Sequence, residues 1–225
     1  EQVVAKDPFI LVGQTPNPNF HFKDLIGPKI GIAIDVPTPW MTLQDDLSRA
    51  GVDPNSINRS ADAMMKENAT SFKNGRLDVV QVFEPYAQEL IEEGGHVWHR
   101  FSTRGDIAFT TFYATRDFID SNRSACRALI NAMNKSLTKI HNSTAKEISD
   151  AIRPMYFPNL NSSSFENIIT QYKEYKLWPK NTALPASSFV RLKGSLLSGG
   201  LIEKDIPYHL IIDQKLSQPG MNYDF

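Results

Sequence analysis

The stretch Lys29-Ile30-Gly31-Ile32-Ala33-Ile34-Asp35-Val36-Pro37-Thr38-Pro39-Trp40 decides how this chain is built. Its first six residues are almost wholly apolar, the pattern of a parallel strand covered on both faces. Thr38-Pro39 then reads as a helix start. Thr38 takes the N-cap, and Pro39 takes the first helical position, where its missing N–H costs no hydrogen bond. Trp40, Leu43, Leu47 and Ala50 fall on one helical face, and Gly51 stops the helix.

The same alternation extends outward. Upstream, Phe9-Ile10-Leu11-Val12 reads as a strand, followed by a Pro- and Asn-rich loop over 14–23. Downstream, a helix over 61–73 ends at Asn74-Gly75, and Val79-Val80-Gln81-Val82-Phe83 is the next buried strand. Glu84-Pro85 turns into a third helix closed by Gly94-Gly95, and His96–Phe101 is a further strand. Strand and helix at this spacing predict an α/β unit over 9–105 with a parallel sheet and right-handed crossovers.

Residues 106–225 read differently. An extended Ala108–Ala114 joins them to the first unit, and from Asp117 the pattern is helical. Ala125, Leu129, Met133, Leu137 and Ile140 form one apolar stripe. Thr144 and Glu147 form a capping box, with Pro154 predicted to end that helix. Ser163 and Glu166 form a second box, and Phe189, Leu192, Leu196 and Leu197 mark a last helix stopped by Gly199-Gly200. Such helices must bury their apolar faces on something, yet no sheet of their own is visible. The expectation is a chain that is a fragment or a cleaved product, or one that assembles with another chain. The absence of an initiator Met and of a signal stretch ahead of Phe9 fits that expectation.

Composition narrows the function. The chain has 225 residues, 41% of them apolar, with 24 Lys plus Arg against 25 Asp plus Glu. A net charge of −1 exerts no general pull toward nucleic acid or anionic membrane. No apolar run approaches the roughly 18 residues a membrane span needs. The single cysteine, Cys126, excludes an intrachain disulfide and an all-cysteine metal site, and on a striped helix it reads as a packed thiol. No phosphate-binding loop, Rossmann glycine triplet or nucleophile elbow is present. His96 and His99, three apart in a predicted strand, point to opposite faces and cannot share a metal. One constellation remains. Ligands of open α/β sheets bind beyond the carboxyl ends of strands, and Asp35 and Glu84 each follow a buried strand where a helix begins. Helix-dipole compensation is the plain alternative for each carboxylate.

The order of motifs resembles a known family. Phe22-Lys-Asp-Leu-Ile-Gly-Pro-Lys-Ile-Gly-Ile-Ala is similar to the opening of the second lobe of type II periplasmic binding proteins. Leu47-Ser-Arg-Ala-Gly-Val-Asp, Asn74-Gly-Arg-Leu-Asp-Val-Val, Glu84-Pro-Tyr, Phe112-Tyr-Ala-Thr-Arg-Asp-Phe-Ile, Gly200-Leu-Ile-Glu and Leu210-Ile-Ile-Asp resemble later segments. The resemblance is to the sulfonate, nitrate and thiamine-pyrimidine binders of ABC importers, and it covers nearly the whole chain. The segment that forms the first half-lobe in the family has no counterpart here.

The resemblance implies a type II periplasmic-binding-protein fold: an α/β lobe over 9–105 and the return segment and helices of the other lobe over 106–225. It implies a substrate-binding component that performs no chemistry, needs no cofactor or metal, and is monomeric when complete. Its partners would be a small-molecule ligand and a membrane permease, and its location periplasmic or anchored outside the cytoplasm. Ligand contacts are expected from Asp35, Thr38, Trp40, Glu84, Tyr86 and Thr110. Sulfonate binders hold their anion on free N–H groups at the position of 36–38, whereas here Pro37 and Pro39 lack that donor. With Asp35 and Glu84 nearby, and Trp40 and Tyr86 able to stack on a flat ring, the expected ligand is an amino-heterocycle such as a thiamine-pyrimidine precursor. Two alternatives stand beside this. One is an iron-dependent pyrimidine-forming enzyme, whose cysteine-rich motif is missing; the other is a ligand-binding sensor module.

Overall fold

The computed structural model describes residues 1–61, 63–213 and 216. In chain order its strands are β1 (Gln2–Val4), β2 (Ile10–Gly13), β3 (Lys29–Ile32), β4 (Asn58–Ser60), β5 (Val79–Val82), β6 (His96–Arg100) and β7 (Thr110–Thr111). Its helices are α1 (Thr38–Arg49), α2 (Met65–Lys73), α3 (Tyr86–Glu92), α4 (Arg116–Ser121), α5 (Arg123–Asn142), α6 (Ala145–Tyr156), α7 (Ser162–Glu174), α8 (Ala186–Ser198) and α9 (Tyr208–Ile211).

The main sheet has five strands in the order β4-β3-β5-β2-β6. It is mixed rather than parallel. β3 runs parallel to β4 and β5, but β2 is antiparallel to both neighbours, β5 and β6. The apolar run Phe9–Val12 predicts burial correctly, since Phe9, Ile10, Leu11 and Val12 are all core residues. Such a run is the same for either strand direction, so direction had to come from topology. β4 carries only polar residues and was invisible to an apolar pattern. The core of this unit joins Leu11, Ile30, Ile32, Leu43, Leu47, Phe72, Val80, Leu90 and Phe101.

The portion over 106–225 shares a small sheet with the first residues of the chain. β1 pairs antiparallel with β7, and residues 177–182 run alongside β1 through Gln2 N–H to Thr182 O and Ala5 N–H to Leu177 O. A separate cluster forms where α6 packs on α7 around Ile148, Phe165 and Ile169. α8 lies against α1, and α7 reaches α3.

Several local expectations change. Thr38 is not the cap of α1: Pro37 is, without a side-chain bond, so Pro39 sits at the second position. Ala50 is exposed, while Leu43 and Leu47 are buried as expected. The buried stripe of α5 is Ile130, Met133 and Leu137, with Ala125 and Leu129 facing outward. Pro154 lies inside α6, which runs two residues further; so near the end, a missing N–H costs a single helical bond. Thr144 and Glu147 form their capping box, but α7 is capped by Asn161, whose Oδ1 accepts Ser164 N–H. Among the described residues no helix is long and apolar enough to cross a membrane.

Candidate functional site

Because β3 and β5 are adjacent and parallel, their carboxyl ends lie side by side. Asp35, Thr38 and Trp40 follow β3 at that edge, and Glu84 and Tyr86 follow β5. Thr110 is exposed in β7, paired with Val4 and adjacent in sequence to Phe109. The antiparallel β2 begins at the same edge, which places Asp7, Pro8 and Phe9 there. Phe9 meets Phe83 edge-on at 5.0 Å between centroids and Phe109 at 6.2 Å.

The two carboxylates are engaged in different places. Asp35 is exposed, and its Oδ1 accepts Met65 N–H at 2.9 Å, at the first turn of α2 rather than α1. This is dipole compensation, directed to a helix thirty residues downstream in the sequence. Glu84 is buried and turned into the contact between α3 and α7. Its Oε2 accepts Gln88 N–H at 2.8 Å, while its Oε1 is buried without a donor among the described residues. Burial pushes the Glu84 carboxyl up to about 6 despite the Gln88 N–H and the Arg100 charge, and Glu92 adds to the rise. Burial also pushes the neighbouring Tyr172 phenol up.

Trp40 is half-buried, and the Arg59 guanidinium lies over its ring at 4.1 Å from the centroid. Arg59 comes from β4, whose register with Ile30 turns it toward the α1 face. Among the described residues it makes no ion pair, and burial alone holds its guanidinium below its ordinary range. Arg59 was missed because a charged residue on a polar edge strand gives no signal in the sequence. Tyr86 is half-buried at the first position of α3. Thr38 lends its carbonyl to Thr42 Oγ1 at 3.1 Å.

Behind this edge lies a buried charge network that was also missed. Asp7 is fully buried; its Oδ1 accepts Phe9 N–H, and its Oδ2 accepts Arg104 Nη1 at 2.7 Å and Thr42 Oγ1 at 3.2 Å. Arg104 also forks onto Asp46, with Nε 3.0 Å from both carboxylate oxygens and a further bond from Nη2. Burial raises the Asp7 carboxyl above its usual range even against the Arg104 charge. Burial pulls the Arg104 guanidinium down, but Asp46 and Asp7 outweigh it and hold it above its ordinary value. Beside the network Ile107 N–H donates to Ala5 O, and Arg191 of α8 donates to Arg104 O.

A concavity of about 390 Å³, lined by Phe20, His21, Phe22, Lys23, Ala50 and His99, lies at the far end of α1 from this edge. His99 is held there by ring contacts with Phe20, Phe22 and Phe101, and burial keeps its imidazole below the usual range. The register shift of β6 against β2 pairs His96 with Gly13 and His99 with Leu11, so the inserted residue brings both histidines to one face instead of the opposite faces expected of a regular strand. No group of metal-ligating side chains occurs among the described residues. Cys126 is half-buried on α5, less enclosed than expected.

The model of the NMT1-like family matches residues 21–152, more than half of the chain. The chain belongs to the NMT1-like family. A curated relative, named "Putative binding protein YtlA", of Bacillus subtilis (strain 168), is 25% identical over 183 residues, covering 80% of this chain and 54% of its own. The chain thus spans about half the length of the curated relative it matches. The periplasmic aliphatic sulphonate binding protein SsuA from Escherichia coli superposes with a TM-score of 0.71 at 16% identity, covering 99% of this chain and 72% of that one. The alkanesulfonate-binding protein SsuA from Xanthomonas axonopodis pv. citri, bound to MOPS, gives 0.68 at 14% identity, covering 90% and 70%. The expected type II periplasmic-binding-protein fold is the fold of these neighbours, and all three are named for binding.

Proposed function

We propose that the NMT1-like chain belongs to the solute-binding component of an ABC importer. It works outside the cytoplasm and presents a small organic solute to a membrane permease. The solute sits in the cleft between the sheet edge at Trp40 and Tyr86 and the helical portion over 106–225, and closure is a hinge motion through the crossings near Ala5 and Ile107.

The observation that carries the finer reading is the Arg59 guanidinium stacked on Trp40 at the first turn of α1. An amino-heterocycle was expected because Asp35 and Glu84 would face the ligand. With Asp35 engaged at α2 and Glu84 turned toward α7, that support is withdrawn. A guanidinium with no acidic partner among the described residues favours an anionic head group, and Trp40 favours an apolar body beside it. The sulfonates in the names of the structural neighbours have that chemistry.

A thermal-shift panel tests the reading. An alkanesulfonate is expected to stabilise the wild type, and Arg59→Ala is expected to abolish that response while preserving the unliganded melting temperature. Stabilisation by an aminopyrimidine with no response to alkanesulfonates would return the reading to the amino-heterocycle.

A further inference from the structure

The seam between α3 and α7 is more polar than a helix contact within a folded protein requires. From α3 and the turn before it come Glu84, Gln88 and Glu92, spaced at four residues on one face. From α7 come Ser164, Gln171 and Tyr172. Ser164 Oγ and Gln88 Nε2 both donate to Glu92 Oε1, so Glu92 is well supplied, and these bonds hold its carboxyl below its usual range. Gln171 Nε2 donates to Gln88 Oε1 at 3.4 Å. Two acceptors are then left over. Glu84 Oε1 and Gln171 Oε1 are both buried without a donor among the described residues.

A buried acceptor without a donor costs its full desolvation, and two in one seam double the penalty. An ionised carboxylate can only accept, whereas a carboxylic acid carries one O–H donor. The Tyr172 O–H reaches neither acceptor, so a single proton on Glu84 provides a donor at the oxygen that has none. A cation could also serve two oxygen acceptors, but Arg100 already places positive charge beside Glu84. Arg100 makes no hydrogen bond to Glu84 among the described residues; its guanidinium lies over the Tyr175 ring at 4.9 Å. The charged or titratable groups facing Glu84 are thus Glu92 from α3, Arg100 from β6 and Tyr172 from α7.

We propose that Glu84 is a proton-binding residue, and that its carboxylic O–H docks α7 of the helical portion onto the α/β unit. Losing the proton places a second carboxylate charge in the seam with Glu92 and loosens the joint. Glu84 stands at the carboxyl end of β5, so this joint borders the edge where the solute is proposed to sit, although the proton site itself does not rest on that reading.

The sign follows from linkage. The Glu84 carboxyl is raised from 4.5 to about 6, so the folded chain holds the proton more tightly than the unfolded one. The stabilisation is complete below about 4.5 and is lost as pH rises through about 6. This displacement limits the change in seam opening to about thirtyfold.

Hydrogen exchange of the α7 amides, corrected for intrinsic rates, tests the proposal from about pH 5 to about pH 8. In the wild type, protection over 162–174 is expected to fall with rising pH, by up to that factor. Glu84→Gln keeps an N–H donor at every pH and is expected to flatten the response while retaining protection at the alkaline end. Gln171→Leu removes the acceptor and is expected to reduce the response. Wild-type protection that does not vary with pH overturns the proposal, even if neither variant folds. A full wild-type response in Glu84→Gln overturns it as well.

Discussion

Replacing Arg104 with Met tests the buried charge network most directly. The Arg104 side chain is 11% exposed and that of Asp7 is 0% exposed. The substitution preserves much of the side-chain volume but removes every donor. Asp7 keeps only Phe9 N–H and Thr42 Oγ1, and Asp46 loses its fork. Breaking a buried pair on one side costs about 3–5 kcal/mol, because the remaining charge is left uncompensated in the interior. For a chain of this size each kcal/mol moves the melting temperature by about 2–4 °C, so a drop of roughly 6–20 °C is expected. Asp7 should also titrate more visibly. Its carboxyl is already raised by burial, and without the cation it rises further. A raised carboxyl stabilises the fold at low pH and loses that contribution as pH rises through its folded value. Arg104→Met should therefore lose more stability between acid and neutral pH than the wild type does. Adding Asp7→Asn removes the stranded charge and should recover part of the loss. Urea titrations of the single and double variants across pH measure all three terms. A single variant within about 1 kcal/mol of the wild type, or a double variant no more stable than the sum of the singles, would refute the reasoning.

Two further outcomes follow from local geometry. A Cβ at Gly13 would stand 2.2 Å from Trp98 Nε1, so Gly13→Ala must displace the indole and break its 2.7 Å bond to Thr15 O. A loss of about 1–3 kcal/mol in a denaturant titration is expected, and the wild-type midpoint would contradict it. Asp35→Ala removes the acceptor at the start of α2 and should cost about 1 kcal/mol. Because that carboxylate serves the helix rather than the ligand, the thermal shift produced by an alkanesulfonate should be unchanged; its loss would put Asp35 back among the ligand contacts.

The sequence alone determined the elements of the α/β unit other than the polar strand β4, and the motif order of the family. Runs such as Ile30–Ala33 and Val79–Val82 are buried on both faces, and the Gly and Pro residues between them leave few places for a helix to begin or end. It also located the sheet edge that carries Trp40 and Tyr86. The tertiary structure alone decided strand direction, because an apolar run buries equally well either way, and β2 proved antiparallel. It likewise decided where charge points. Asp35 and Glu84 look equivalent in sequence, each following a strand and preceding a helix. One reaches Met65 and the other is buried against α7, because the direction of a side chain depends on which distant element packs beside it. Arg59 on Trp40 and the Asp7–Arg104–Asp46 network join residues up to 97 positions apart, a distance at which no local pattern operates.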